Sequence, residues 1–120
     1  MIKGEDKLGD IKINNEVVST IAAMAANEVP GIIPASGGFS FRDMLGIKDI
    51  DKGVSVQITD NRVVINIEVS IEYGTNIYDA SHRLQKKIKD QVEQMTGLVV
   101  EEVNVIIKGV IFPTGSKTQE

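Results

Sequence analysis

Few side chains in this sequence could carry out catalysis or bind a metal ion. His82 is the only histidine among the 120 residues, and there is no cysteine. A Ser–His–Asp arrangement of Ser81, His82 and Asp79 is excluded, because side chains one residue apart on a helix do not face each other. With a single histidine, a zinc site would need carboxylates or water for its other ligands. We therefore predict that His82 lies on the surface and that the chain holds no metal.

The acidic and glycine motifs form no catalytic pattern either. Glu68 and Glu72 fall on one face of a predicted strand, and a carboxylate pair works as acid and base only where a pocket raises one pKa. The sequence indicates no such pocket, so a solvated sheet face is expected. Gly37-Gly38 is not followed by the Gly-Lys-Ser/Thr of a phosphate loop. We predict a protein without catalytic residues or a cofactor, which is therefore not an enzyme.

Four basic residues on a predicted long helix form a candidate docking face: Arg83, Lys86, Lys87 and Lys89. Such a face could meet an acidic protein, a phosphate backbone or anionic lipid, at about 1 kcal/mol per residue near a membrane. The alternative is a solvated face that pairs with Asp79, Asp90 and Glu93. The net charge of −4 argues against nucleic acid. The open sheet face also lacks the aromatic side chains on which RNA-binding sheets stack bases.

A second candidate surface lies in the irregular segment 30–52. Its apolar residues are Phe39, Phe41, Met44, Leu45 and Ile47. A loop of this length is uncommon in a compact domain unless it is functional or disordered. If exposed, these side chains form a patch for a partner or for self-association. The alternative, that they fold back over the core, remains open.

Hydrophobic periodicity predicts the elements that position these residues. Ile11 and Ile13 alternate with polar residues, which predicts a short strand over 9–13. An apolar stripe then predicts a helix over 15–28, capped by Asn14 or Asn15. In the second half, two alternating segments flank a turn at Asp60-Asn61, which indicates a hairpin.

The chain continues with a long amphipathic helix and a last strand. Thr75 or Asn76 caps the helix, Gly97 ends it, and the strand covers 98–112. The sequence therefore predicts an α+β fold of order βαββαβ, with one mixed sheet and both helices packed on one face.

We divide the chain into a flexible N-terminus over 1–8, a single domain over 9–112 and a disordered polar tail over 113–120. The N-terminal residues lack the apolar stretch of a signal peptide. No uncharged run approaches the roughly 20 apolar residues of a spanning helix. Direct insertion into a membrane is therefore not expected.

A series of short motifs resembles the alkaline-shock protein family of envelope stress proteins from Gram-positive bacteria. In chain order they are Glu28-Val29-Pro30-Gly31, Ser36-Gly37-Gly38, Leu45-Gly46, Lys52-Gly53-Val54, Tyr73-Gly74, Met95-Thr96-Gly97-Leu98, Val103-Asn104-Val105 and Gly109-Val110. The resemblance covers about residues 9–112. It implies a cytoplasmic, non-enzymatic protein held near the membrane by a small membrane-anchored partner. It also implies a role in envelope homeostasis and, as in some members, self-association.

Three hypotheses follow. The first is an envelope-stress scaffold that docks protein partners through the 39–47 segment, the basic helix face or a sheet edge. The second is a small nucleic-acid-binding module that uses the basic helix, whose binding would weaken steeply with salt. The third is a regulatory subunit of a lipid-metabolic enzyme, which can overlap with the first.

Overall fold

The computed structural model describes residues 8–35 and 53–112. These residues form two helices and four strands: α1 (Asn15–Asn27), β1 (Ile32–Pro34), β2 (Val54–Thr59), β3 (Arg62–Glu72), α2 (Ile77–Thr96) and β4 (Val99–Ile111). The predicted α+β class, with one mixed sheet and two helices on one face, is confirmed. From Val54 onward the order of strands and helix is also as predicted.

Strand β3 is the centre of the sheet. It pairs antiparallel with β1 and β2 along one edge and parallel with β4 along the other. Ala35 N donates to Glu68 O over 3.3 Å, and Glu68 N donates to Gly53 O over 2.8 Å. Because both residues bond to Glu68, β1 and β2 act as one edge strand that residues 36–52 interrupt.

The core lies between the helices and one face of β3. The alternate residues of β3 on this face are at most 1% exposed: Val63, Ile65, Ile67, Val69 and Ile71. Helix α2 contributes Ala80, Leu84, Ile88 and Val92 at its buried positions. Helix α1 contributes Val18 and a series of alanines, whose small side chains allow it to pack closely. The opposite face of the sheet carries polar residues such as Asn66 and Glu68 and is only partly buried.

Local residues set the element boundaries as the sequence predicts. The side chain of Asn14 accepts from Val17 N over 3.3 Å, and that of Asn76 accepts from Asp79 N over 2.9 Å. These bonds satisfy amide groups that the first turn of a helix leaves without partners. Gly97 ends α2 in the left-handed conformation, with φ of 80°.

The predicted strand over 9–13 is wrong. These residues form no strand, and Ile11 is 93% exposed. Only Ile13 packs against the core. Two alternating isoleucines are too few to fix a strand register. A short strand does lie in this half of the chain, but it follows α1, at Ile32–Pro34.

Some of the sequence-based predictions fall outside the described residues. They are the fate of the apolar 39–47 segment, the polar tail over 113–120 and most of the flexible N-terminus over 1–8. Within residues 8–35 and 53–112, no helix is both long and apolar enough to cross a membrane.

Candidate protein-interaction surface

Four exposed apolar side chains lie at the far end of the β3–β4 pair, distributed over both faces of the sheet. Tyr73, Val110, Ile111 and Phe112 are 62%, 51%, 43% and 60% exposed. Tyr73 N donates to Ile111 O over 2.8 Å, and the rings of Tyr73 and Phe112 are 4.9 Å apart at their centroids. We call these four residues the terminal apolar cluster. Exposed apolar patches of this kind mark interaction sites on soluble domains.

Sequence reasoning missed this cluster. The alternation of β3 from Val63 to Ile71, continued by one step, predicts a buried Tyr73, whereas its side chain is 62% exposed. The available signal was Val110-Ile111-Phe112, three consecutive apolar residues at a strand end. Adjacent strand residues point to opposite faces, so one helical layer cannot cover all three.

The outer edge of β4 is blocked in its first half by side chains of α2. Glu93 Oε2 accepts from Val100 N over 2.9 Å, and Lys89 Nζ donates to Val100 O over 3.4 Å. Gln85 Nε2 donates to Val103 O over 3.0 Å. Because these bonds satisfy the outward backbone groups, this half of the edge is protected against pairing with another strand.

The second half of the β4 edge, residues 105–111, has no such cover within the described part of the chain. Backbone groups of alternate strand residues point to the same side, so those of Val105 and Ile107 face outward like those of Val103. No side chain of residues 8–35 or 53–112 bonds to them. The edge next to the terminal apolar cluster is therefore open.

Glu93 joins the helix to the strand edge electrostatically. Hydrogen bonds from Lys89 Nζ and from the Val100 amide hold the pKa of its carboxyl below the ordinary value of 4.5. A lowered folded pKa means that the carboxylate stabilises the fold above its unfolded pKa. That contribution is lost as pH falls through the lower folded pKa.

We expect the Val100 amide to lose protection from hydrogen exchange as the medium is acidified below pH 4.5. Glu93→Gln should remove this dependence, because the neutral amide does not titrate. Exchange followed by NMR at Val100 checks the result, with the β3 amide of Ile65 as internal control. Equal acid sensitivity in the wild type and Glu93→Gln would contradict the assignment.

The four basic residues of the predicted docking face do not form one uniform patch. Lys87 turns toward α1, where Nζ is 3.0 Å from Glu28 Oε1. Lys89 turns toward β4 and pairs with Glu93 at 2.9 Å, while Lys86 pairs with Asp90 at 3.5 Å. Arg83 makes no ion pair with the residues that the structure describes. A docking role for these residues stays a prediction.

A groove of about 520 Å³ lies between α2 and β4. Lysines and carboxylates both line it, among them Lys86, Lys89, Asp90, Glu101 and Glu102. Charges of both signs within one groove partly cancel, so it carries no strong field toward an acidic or a basic ligand. Arg62 additionally forms an ion pair with Glu101.

His82 is exposed, and its ring stacks on that of Tyr78 with centroids 5.7 Å apart. Among residues 8–35 and 53–112, no three His, Cys, Asp or Glu side chains are placed to hold a metal ion. Glu68 and Glu72 lie on the open face of β3, and Asn66 on the same face belongs to an amide network. In that network, Asn104 Nδ2 donates to Asn66 Oδ1 over 2.9 Å.

Residues 8–35 and 53–112 form a small α+β domain with an open sheet face and, in the second half of β4, a strand edge to which no described side chain bonds. The chain belongs to the alkaline shock protein 23 family, which is described as having a cell envelope-related function and which matches residues 3–112. The resemblance to the alkaline-shock proteins is thereby confirmed.

The relatives come from Gram-positive bacteria. Two Bacillus subtilis proteins, the uncharacterized proteins YloU and YqhY, are each 32% identical to this chain. The YloU match covers 87% of this chain and 90% of the relative, and the YqhY match covers 94% and 84%. A Streptococcus pyogenes stress response regulator gls24 homolog is 26% identical over 81% of this chain and 56% of its own length.

Proposed function

We propose that this chain is a non-enzymatic interaction module of the cell-envelope stress response, which docks a protein partner near the membrane. The observation that carries the proposal is the terminal apolar cluster, exposed on a member of a family with a cell envelope-related function. Two aromatic rings in contact, each more than half exposed, are the side chains that most often dominate binding energy at protein interfaces.

Relatives support the stress-response part of the proposal. A similar Streptococcus pyogenes protein is named a stress response regulator homolog. The partner we propose is a small membrane-anchored protein, whose apolar side chains would cover Tyr73 and Phe112. The chain itself would remain in the cytoplasm and reach the envelope through that partner.

The geometry favours protein docking over nucleic-acid binding. Lys86, Lys87 and Lys89 each pair with a carboxylate, which reduces the charge available to phosphates. Retention of the chain on heparin at low salt, lost on charge reversal of these lysines, would favour the nucleic-acid hypothesis instead. A regulatory role on a lipid-metabolic enzyme would use the same docking surface and would appear as copurification of that enzyme.

Affinity purification from native membranes tests the proposal. Tyr73→Ala/Phe112→Ala should reduce recovery of envelope proteins at least tenfold, because loss of an aromatic anchor costs about 2 kcal/mol or more. Tyr78→Ala is the matched control, since Tyr78 is more exposed, at 78%, and lies outside the cluster.

The double variant Phe39→Ala/Phe41→Ala, tested in parallel, measures whether the 39–47 segment contributes to the recovery of envelope proteins. If the wild type recovers no envelope protein, the proposed function is wrong. If recovery depends on the Phe39 and Phe41 pair and not on the Tyr73 and Phe112 pair, the docking surface is the 39–47 segment.

A further inference from the structure

We propose that the docked partner binds through one amphipathic helix, which lies between the first half of α2 and the second half of β4. This space, the α2–β4 gap, is on the helix side of the sheet, beyond the groove described above. The partner helix would turn an apolar face to the gap and an acidic side chain to its rim. Because the gap includes Val110 of the terminal apolar cluster, the inference rests on the proposed function and specifies the partner segment that binds.

The side chains of β4 that face the helices become more exposed along the strand. Val100 and Val103 are 4% and 8% exposed, Ile107 is partly exposed, and Val110 is 51% exposed. Val110 belongs to this face because it pairs with Ile71, which is 1% exposed in the core. The helical layer therefore covers the first half of β4 and not the end of the second half.

Helix α2 leaves this gap because it crosses the sheet at an angle. Its second half lies beside β4, where Gln85 and Glu93 bond to the strand backbone. Its start lies toward β1, on the other side of β3: a Cβ added to Gly31 would be 2.6 Å from Thr75 Cγ2. The distance between α2 and β4 therefore grows toward the far end of β4, and Ile77 in the first turn of α2 is 45% exposed.

The gap has the dimensions of one helix. Packed helices lie about 8–10 Å apart and strands about 4.8 Å apart, so one helix covers about two strands. Helix α1 packs on β1 and β2, and α2 runs from the β1 side to β4. Residues 105–111 of β4 span about 23 Å, a length that a helix of about 15 residues matches.

The walls of the gap determine the chemistry of the helix that fits. The helix-facing residues in the second half of β4 are valine and isoleucine, and the facing flank of α2 carries the uncharged Ser81, one turn before Gln85. An apolar helix face would remove this surface from water. Lys108 is the only charged residue within 105–111; it is exposed and makes no ion pair with described residues. From the edge strand its long side chain can pair with an acidic residue on the flank of the docked helix.

An added strand or a second copy of the chain fits the site less well. A strand would have to pair with the edge of β4, where Lys108 and the register shift beside Val69 oppose regular pairing. A second copy offers no free helix within its described residues, because α1 and α2 both bury their apolar stripes in their own core. A helix from another protein fits, in the groove-binding mode whose anchor residues are three and four positions apart.

Recovery of envelope proteins from native membranes, with the full chain as bait, gives the first test. Val110→Asp should lower recovery at least tenfold, because binding would bury its charge against the apolar face of the helix. Ile106→Asp is the matched control and should leave recovery unchanged: Ile106 is 41% exposed on the same strand but pairs with Glu68 on the open face. Lys108→Glu should lower recovery about threefold or more, and added salt should narrow that difference by screening the charges. Equal urea midpoints for the two aspartate variants show that both are folded.

Photo-cross-linking measures the shape of the bound segment. A benzophenone side chain at position 107 or 110 should give adducts on partner residues three or four apart, in a segment that contains an acidic residue. The same group at position 106 should give none. Adducts two residues apart would indicate an added strand and would overturn the inference. Adducts found only on residues 36–52 or 113–120 of the chain itself, or on a second copy, would overturn it too.

The two proposals fail in different ways. If Tyr73→Ala/Phe112→Ala loses the envelope proteins but Val110→Asp retains them, the proposed function stands and the α2–β4 gap is not the binding site. If Val110→Asp and Ile106→Asp lower recovery equally, the helix side has no special role and the inference is likewise wrong. If the wild type recovers no envelope protein and gives no adduct with another protein, both proposals are wrong.

Discussion

Leu84→Ala is expected to lower the free energy of unfolding by about 2–5 kcal/mol. Leu84 is fully buried in the core formed by α2, α1 and the inner face of β3. Truncation removes its apolar surface from the core and leaves a cavity that the surrounding isoleucines and valines fill only in part. Urea denaturation checks the value, with an unchanged dependence on denaturant indicating that the native state is preserved.

Met95→Ala is the matched control on the same helix. Met95 is 66% exposed, so its truncation should change the free energy of unfolding by less than about 0.5 kcal/mol. A domain of this size has a total stability of about 5–15 kcal/mol, so the loss at Leu84 is a large fraction of it. Equal effects at Leu84 and Met95 would contradict the packing of α2 on the sheet.

The parts of the fold that sequence predicted are those with long, regular periodicity. Strand β3 alternates over eleven residues, and every second one is buried. Helix α2 carries its apolar stripe through Leu84, Ile88 and Val92, and Asn76 and Gly97 cap its two ends. In such elements each residue repeats the same signal, so one exception does not change the assignment.

The parts that sequence did not predict depend on contacts between distant residues. Strand β1 has three residues, one of them Pro34, and forms because β3 offers it an edge. Proline is tolerated there because an edge strand does not need every amide. Shifts in the β3–β4 register, beside Val63 and beside Val69, likewise leave no periodic signal.

The candidate surfaces, like the fold, were predictable from the sequence only where the signal is local. Pairing of the basic residues of α2 with Asp90 and Glu93 was one of the two alternatives that the sequence offered, whereas the pairing of Lys87 with Glu28 on α1 needed the structure. The terminal apolar cluster exists because two strands end together, which no single segment reveals. Membership of the alkaline-shock family was predictable, because the glycine-containing motifs at turns and caps are local features of the sequence.

The two halves of the β4 edge are protected in different ways. Where α2 lies alongside, its side chains bond to Val100 and Val103 and exclude other strands. Farther along, no such bonds are present in the described residues, and the exposed side chains include Ile106, Lys108 and Val110. A lysine on an edge strand opposes pairing with another chain, because its charge would have to be buried.

Gly53→Ala is the second substitution with a large expected effect, about 2–4 kcal/mol from backbone strain and overpacking together. Gly53 has φ of 85°, and an added Cβ would lie 2.7 Å from the Cβ of Ala35. The contact is between atoms held close to the backbone, so neither can move aside without disturbing β1 or β2. The free energy of unfolding from urea denaturation gives the measurement.

Gly97→Ala separates the two causes. Gly97 has a similar φ of 80°, but no atom lies within 4 Å of its added Cβ. It should therefore lose only the backbone part, about 1–2 kcal/mol. The difference between the two variants measures the close approach of Ala35 and Gly53.

Ala35→Gly combined with Gly53→Ala completes the test. Removing the methyl group of Ala35 should restore the overpacking part of the loss, and a double-mutant cycle should give a coupling of about 0.5–3 kcal/mol. Zero coupling would mean that the ends of β1 and β2 do not meet. A positive result would show that Ala35 and Gly53 bring the ends of β1 and β2 together as one continuous edge strand beside β3.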